Sequence, residues 1–185
     1  MRLRAALPGA IYRRRVRRVQ SAVCRAAGGL GDLPRRGQPR CPLECLPEID
    51  PPATPFFYAF SYTVPDGNST ARSFVAAGSG EARDGGPSYE GRIIRRGDQS
   101  PEAMREKARF VLGVMEQRMT ALGFGWADVT ATQVYTIFDI HPLLPNEIVR
   151  RRASPGGLTW HFARPPVQGL RFEVDVRAVA HELVI

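Results

Sequence analysis

A regular alternation of apolar and charged side chains near the end of the chain constrains the fold more than any other feature. The apolar positions are Phe172, Val174, Val176, Ala178 and Ala180, and the charged positions are Arg171, Glu173, Asp175 and Arg177. Because successive side chains of a β-strand point to opposite faces of a sheet, this pattern predicts a strand with one face on a core. The charged face suits solvent, another subunit or a ligand.

Positive charge is concentrated at the beginning of the chain. Residues 1–50 hold eleven of the 26 Lys and Arg residues but four of the 18 acidic residues, so the rest of the 185-residue chain is nearly neutral. The Arg-, Pro- and Gly-rich composition predicts a poorly structured extension over residues 1–50, followed by one domain over residues 51–185. Binding of nucleic acid or an acidic membrane, or a targeting role, would also fit such an extension.

The cysteine and histidine residues do not form a ligand pattern. Cys24, Cys41 and Cys45 all lie in the extension, which contains no His. An odd number of cysteines in such a segment predicts neither a disulfide framework nor a metal site, and the cysteine-free domain is expected to be cytoplasmic. No serine elbow, Cys–His nucleophile pair or dinucleotide fingerprint is present, which argues against hydrolysis through a covalent intermediate, and we expect no cofactor. No stretch approaches the roughly 20 apolar residues of a membrane span, so we expect no contact with a membrane interior.

The sequence of the domain predicts a series of strands interrupted by two helices. Residues 56–64 and 72–80 predict two strands around a turn at residues 65–68, and residues 129–139 and 157–164 predict two more before the final strand. Ser100 and Pro101 predict the start of a long helix whose apolar positions, from Met104 to Leu122, recur every three or four residues and which Gly123 ends. A short helix is expected near Pro145. The order β-β-α-β-α-β-β predicts an α+β domain with two helices on one face of a mostly antiparallel sheet.

Several of these segments resemble the reactive-intermediate deaminase family, also called Rid or YjgF-like. The resemblance covers about residues 56–180 and is carried by RSFVAAGSG, by ALGFGWADVTATQVYTIFD after the long helix, and by the closing ARPPVQGLRFEVDVRAVA. It implies a chorismate-mutase-like fold, a homotrimer, and ligand clefts between subunits. Many members of this family hydrolyse small enamines and imines to a keto acid and ammonia without a metal.

The same resemblance implies site residues. The Glu that orients water in the family falls on Glu173, and the small residues of the cleft fall on Ala77 and Gly78. An aromatic residue of the first strand would be Tyr62 or Tyr58. The Arg that holds the substrate carboxylate in the family has no counterpart, because its position is occupied by Gly157 or Leu158.

Two alignments of the strand that lacks this Arg leave two sets of candidates. If the position is 157, Thr159 and His161 share its face, and His161 either donates to a carboxylate or transfers a proton in the cleft, or hydrogen-bonds across a subunit contact. If the position is 158, Trp160 and Arg164 enter the cleft and favour a flat or aromatic ligand.

These residues leave three functions open. The first is deamination of a small imine or enamine in a trimer cleft, with Glu173 and His161 as catalytic residues. The second is a metabolite-binding trimer without turnover. The third is RNA binding or cleavage, against which the near-neutral charge of residues 51–185 argues.

Overall fold

The computed structural model describes residues 46–51, 71–85 and 88–182, which belong to one compact unit. The strands are β1 (Leu46–Pro47), β2 (Phe74–Gly80), β3 (Ala131–Tyr135), β4 (Leu158–His161), β5 (Ala163–Arg164) and β6 (Glu173–Ala178). Helix α1 spans Pro101–Ala121. Short 3₁₀ turns occur at Glu90–Arg92, Trp126–Asp128 and His141–Leu143. The predicted strand over residues 56–64, its turn, Tyr58 and Tyr62 lie outside the described residues.

Four strands form one sheet in the order β2-β6-β3-β4. Strand β6 pairs antiparallel with both β2 and β3, whereas β3 and β4 are parallel. A separate antiparallel pair joins β1 to β5, so residues of the expected extension, Leu46 and Pro47, contact the folded unit. The sheet and its helices confirm the predicted α+β class.

Helix α1 begins and packs as its sequence predicts. The side-chain oxygen of Ser100 accepts a hydrogen bond from the Ala103 backbone N–H, and Pro101 occupies the first helical position, where no intrahelical donor is needed. The apolar stripe of the helix is buried and consists of Met104, Ala108, Val111, Leu112, Met115 and Met119. Leu122, expected in the stripe, lies after the last helical turn and is exposed.

The second predicted helix has an unusual geometry. A 3₁₀ turn over His141–Leu143 runs directly into a single π-helical segment, Leu144–Val149. Leu143 and Ile148 are buried there and belong to the core.

The core lies between α1 and one face of the sheet. Strand β6 contributes the predicted alternate residues Val174, Val176 and Ala178, and Phe172 directly precedes it; all four are buried. Ala180 is exposed, contrary to the expectation for that face, because β6 ends at Ala178 and the chain leaves the sheet there. No helix among the described residues has the length and apolarity that crossing a membrane requires.

Candidate active site on the polar sheet face

Strand register places the candidate residues in two rows across the sheet face that turns away from α1. In the first row, Glu173 of β6 pairs with Tyr135 of β3, which pairs with His161 of β4. In the second row, Gln133 pairs with both Asp175 and Thr159. We call this surface the polar face and define it by Gln133, Tyr135, Thr159, His161, Glu173 and Asp175. The register therefore brings His161 and Thr159 to the same face as Glu173.

His161 is fixed by its neighbours on β3. Its ring stacks on Tyr135 with 4.6 Å between the ring centroids and an interplanar angle of 5°. The Nε2 atom lies 2.5 Å from Oε1 of Gln133. A carbonyl oxygen can only accept, so Nε2 carries the proton and Nδ1 is the basic nitrogen in this arrangement. Burial lowers the pKa of His161, and the positive charge of Arg177 lowers it further. The imidazole is therefore neutral at physiological pH and suited to proton transfer.

Asp175 is a buried acid in the second row. Tyr135 donates its hydroxyl to Oδ2 at 2.9 Å. The other oxygen, Oδ1, is buried without a hydrogen bond, and its nearest cation is the Arg177 guanidinium at 4.0 Å. Burial raises the pKa of Asp175 to about 6, although the Tyr135 hydroxyl and Arg177 act in the opposite direction. An acid with such a pKa can give and take protons near neutral pH.

Glu173 lines a cavity of about 220 Å³ at the end of the polar face next to β2. The walls come from the end of β2, from the segment that follows it, and from the connection between β5 and β6. The lining residues used below are Gly78, Gly80, Arg83, Tyr89, Arg92 and Leu170.

A β-bulge shapes the wall that β2 contributes to this cavity. Ala76 faces Val176 and Ser79 faces Val174, so β2 has one residue more than β6 between these pairs. The extra residue falls at Ala77 and Gly78, whose carbonyl oxygens accept hydrogen bonds from the Arg118 guanidinium at 2.9 and 3.4 Å. Such a bulge shifts the side-chain alternation. It brings Gly80 opposite Glu173, where the missing side chain makes room for Leu170.

The other candidates lie elsewhere. Trp160 packs against the core on the opposite face, and its indole N–H donates to the Thr136 carbonyl at 2.9 Å. Arg164 makes two hydrogen bonds of 2.6 Å with the carboxylate of Glu48, which follows β1. The alignment that would bring Trp160 and Arg164 beside Glu173 therefore does not match this placement. Ala77 belongs to the bulge, whereas Gly78 contacts the cavity itself.

Sequence reasoning missed four residues of this region: Gln133, Tyr135, Asp175 and Arg92. The alternation of β3 contained a signal for Gln133 and Tyr135, because both occupy the same parity in residues 131–135. Nothing in the sequence marked Arg92, which lies in the polar, Gly-rich segment of residues 81–99. Among the described residues, no group of three or more His, Cys, Asp or Glu side chains is placed to hold a metal ion.

The sheet, its polar face and the adjacent cavity define a small α+β domain of the reactive-intermediate deaminase type. The chain belongs to the family described as 2-aminomuconate deaminase CnbZ, whose model matches residues 34–183. The match to a deaminase family confirms the resemblance that the sequence motifs carry.

A characterised relative and two solved structures are similar to the chain. The 2-amino-5-chloromuconate deaminase of Comamonas testosteroni is 46% identical over 151 residues, which are 81% of this chain and 60% of that protein. The chain thus spans less than two thirds of the length of that relative. A proposed endoribonuclease from Thermotoga maritima is 18% identical with a TM-score of 0.43, covering 74% of this chain and 93% of that one. A YjgF family member from Mycobacterium tuberculosis is 20% identical with a TM-score of 0.35, covering 58% and 79%.

Proposed function

We propose that the protein deaminates a small carboxylate-bearing enamine or imine of the 2-aminomuconate type, releasing ammonia and an oxo acid. The family to which the chain belongs supports this reaction, as does the name of the Comamonas relative. The observation that carries the proposal is the position of Glu173, which lines a cavity and begins a row of hydrogen-bonding side chains that continues through Tyr135 to His161.

The reaction needs proton transfers and one water molecule. Protonation of the enamine carbon gives an iminium ion, and water then adds to the iminium carbon while a base takes one of its protons. The resulting carbinolamine gains a proton on nitrogen, and it expels ammonia and gives up its hydroxyl proton to the base as the carbon–oxygen double bond forms. The sum is enamine plus water giving oxo acid plus ammonia.

Groups of the polar face match these steps. Glu173 orients the water and accepts its proton, because it is an acid that lines the cavity. His161 serves as the second proton-transfer group. It lies two strands away from Glu173, about 10 Å at the usual strand spacing. A homotrimer, in which neighbouring polar faces meet, would bring such groups around one substrate.

Ammonia release tests this function. We expect the full-length protein to accelerate ammonia release from 2-aminomuconate generated in place. We expect Glu173→Gln to lower kcat by about 10²- to 10⁴-fold, the usual contribution of a positioned acid or base. Glu106→Gln is the matched control, because it removes an exposed carboxylate of α1 without touching the cavity.

Two results would contradict the proposal. Equal activity of the Glu173 and Glu106 variants would place the site elsewhere. Binding of substrate without faster ammonia release would favour a metabolite-binding protein, which is the second candidate because the resemblance implies a carboxylate-holding Arg at a position that Gly157 or Leu158 occupies.

A further inference from the structure

Arg92 is a cation in the same cavity as Glu173. It ends the 3₁₀ turn Glu90–Arg92 and lines the cavity together with Gly78 and Gly80. The cavity therefore combines a guanidinium with the carboxylate proposed as the catalytic base.

The hydrogen-bonding capacity of this guanidinium is largely unused. Its Nε atom is buried without a hydrogen-bond partner, and Nη1 donates to the Arg83 carbonyl at 3.3 Å. The ion pairs formed by the described residues do not include Arg92, although they include its neighbours Arg95 and Arg96. A buried N–H of a cation without a partner costs free energy.

The backbone holds Arg92 in place. The Arg92 carbonyl accepts a hydrogen bond from the Arg83 N–H at 3.0 Å, and the next residue, Ile93, forms a β-bridge with Ala82. Ile93 and Ile94 are buried. These contacts attach the segment that carries Arg92 to the chain that leaves β2.

An aromatic ring restricts the guanidinium further. The Arg92 guanidinium carbon lies 5.0 Å from the centroid of the Tyr89 ring, within the range of a cation–π contact. A planar guanidinium held in this way presents a two-pronged donor that matches a carboxylate. The site thus suits an anion with two oxygens better than a single point charge.

We propose that Arg92 binds a carboxylate group of the substrate. This inference rests on the proposed function. The substrate is then an enamine or imine that also carries a carboxylate. This carboxylate lies near the reacting carbon, so that Arg92 and Glu173 contact the same molecule. Arg83, exposed at the rim of the cavity, adds a second positive charge, and the exposed Asp84 beside it adds a negative one.

Binding of muconate, the dicarboxylate that lacks the amino group, tests Arg92 without turnover. Calorimetry with the full chain is expected to show about 10- to 100-fold weaker binding for Arg92→Met, because hydrogen bonds to charged groups contribute about 1.5–3 kcal/mol. The muconate affinity of Arg92→Lys should lie between those of the wild type and Arg92→Met, since a lysine keeps the charge but loses the two-pronged geometry. The control is Arg96→Met, which removes a nearby exposed arginine paired with Glu90.

Kinetics with 2-aminomuconate separate a binding role from a structural one. Arg92→Met is expected to raise KM by a factor similar to its loss of muconate affinity, and the dimethyl ester of muconate should bind wild type and variant equally. Muconate affinity that is unchanged in Arg92→Met, or absent in the wild type, would overturn the inference. Arg92-dependent binding of muconate together with no ammonia release would instead refute the proposed function and leave the carboxylate site standing.

Discussion

At the scale of single residues, Asp175 makes a prediction about the pH dependence of stability. Its pKa is raised from 3.8 to about 6, chiefly because burial disfavours the charged form. Between these two values the folded protein binds more protons at this position than the unfolded chain. The free energy of unfolding therefore falls as the pH rises from about 4 through about 6, by up to about 3 kcal/mol for a shift of this size.

Asp175→Asn should remove this contribution while keeping an oxygen that accepts from the Tyr135 hydroxyl. We expect the variant to be increasingly more stable than the wild type as the pH rises from about 4 to about 7. Urea unfolding across this range measures the difference. Asp84→Asn, at an exposed loop position, is the control. Parallel pH profiles for the wild type and Asp175→Asn would show that this carboxyl group does not titrate as the structure indicates.

The sequence predicts on which face of the sheet each residue of β6 lies. It does not predict the pKa of the side chain. The alternation along β6 correctly separated Val174 and Val176 from Glu173. The raised pKa of Asp175 depends on burial by other elements, which outweighs the opposite effect of the Tyr135 hydroxyl, 40 positions away in the chain. The lowered pKa of His161 likewise arises from its burial within the sheet. Such properties follow from tertiary contacts, which a periodic pattern does not specify.

At the scale of elements, a buried ion pair connects α1 to the strand that carries the site. Lys107 lies 3.4 Å from Glu81, and both side chains are fully buried. Lys107 also donates to the carbonyl oxygens of Ile94 and Arg95. Glu81 accepts from the backbone N–H groups of residues 171 and 172, at 2.6 and 3.0 Å, directly before Glu173. The pair thus ties the helix, the segment after β2 and the start of β6 together.

Removing one member of this pair should destabilise the fold strongly. Lys107→Met leaves the Glu81 carboxylate buried without its cation, so we expect a loss of about 3–5 kcal/mol in the free energy of unfolding. Glu90→Gln, which disrupts the exposed pair with Arg96, should cost less than about 1 kcal/mol. Urea unfolding of both variants measures the contrast. Similar stabilities would mean that the buried pair does not hold these elements.

The elements differ in how far the sequence specified them. Helix α1 has a cap, a proline at its first position and a regular apolar stripe, and its start was predicted correctly. Lys107 was not identified, because its position next to Ala108 in a helix resembles that of any solvent-exposed lysine. The segment after His141 has no regular stripe, and packing of Leu143 and Ile148 into the core selects the 3₁₀ and π-helical geometry. Local propensity does not decide between such closely related helices.

At the scale of the whole molecule, the surface beyond β4 suggests where copies of the chain meet. Strand β4 ends the sheet order among the described strands, and an edge strand offers unpaired backbone groups to a partner. Leu46 of β1 and Phe162, between β4 and β5, are 45% and 47% exposed. Apolar side chains beside a sheet edge fit burial in an interface. We therefore propose that this edge and the polar face take part in a homotrimer.

Light scattering tests this assembly directly, with a mass of about three chains expected for the full-length protein. Phe162→Glu should shift the mass toward one chain, because a charge placed in an apolar contact must be desolvated when the interface forms. Val149→Glu is the matched control, because Val149 is similarly apolar and 59% exposed but lies on the π-helical segment. A wild-type mass of one chain would refute the trimer. Dissociation by Val149→Glu and not by Phe162→Glu would instead place the interface on the helical side of the sheet.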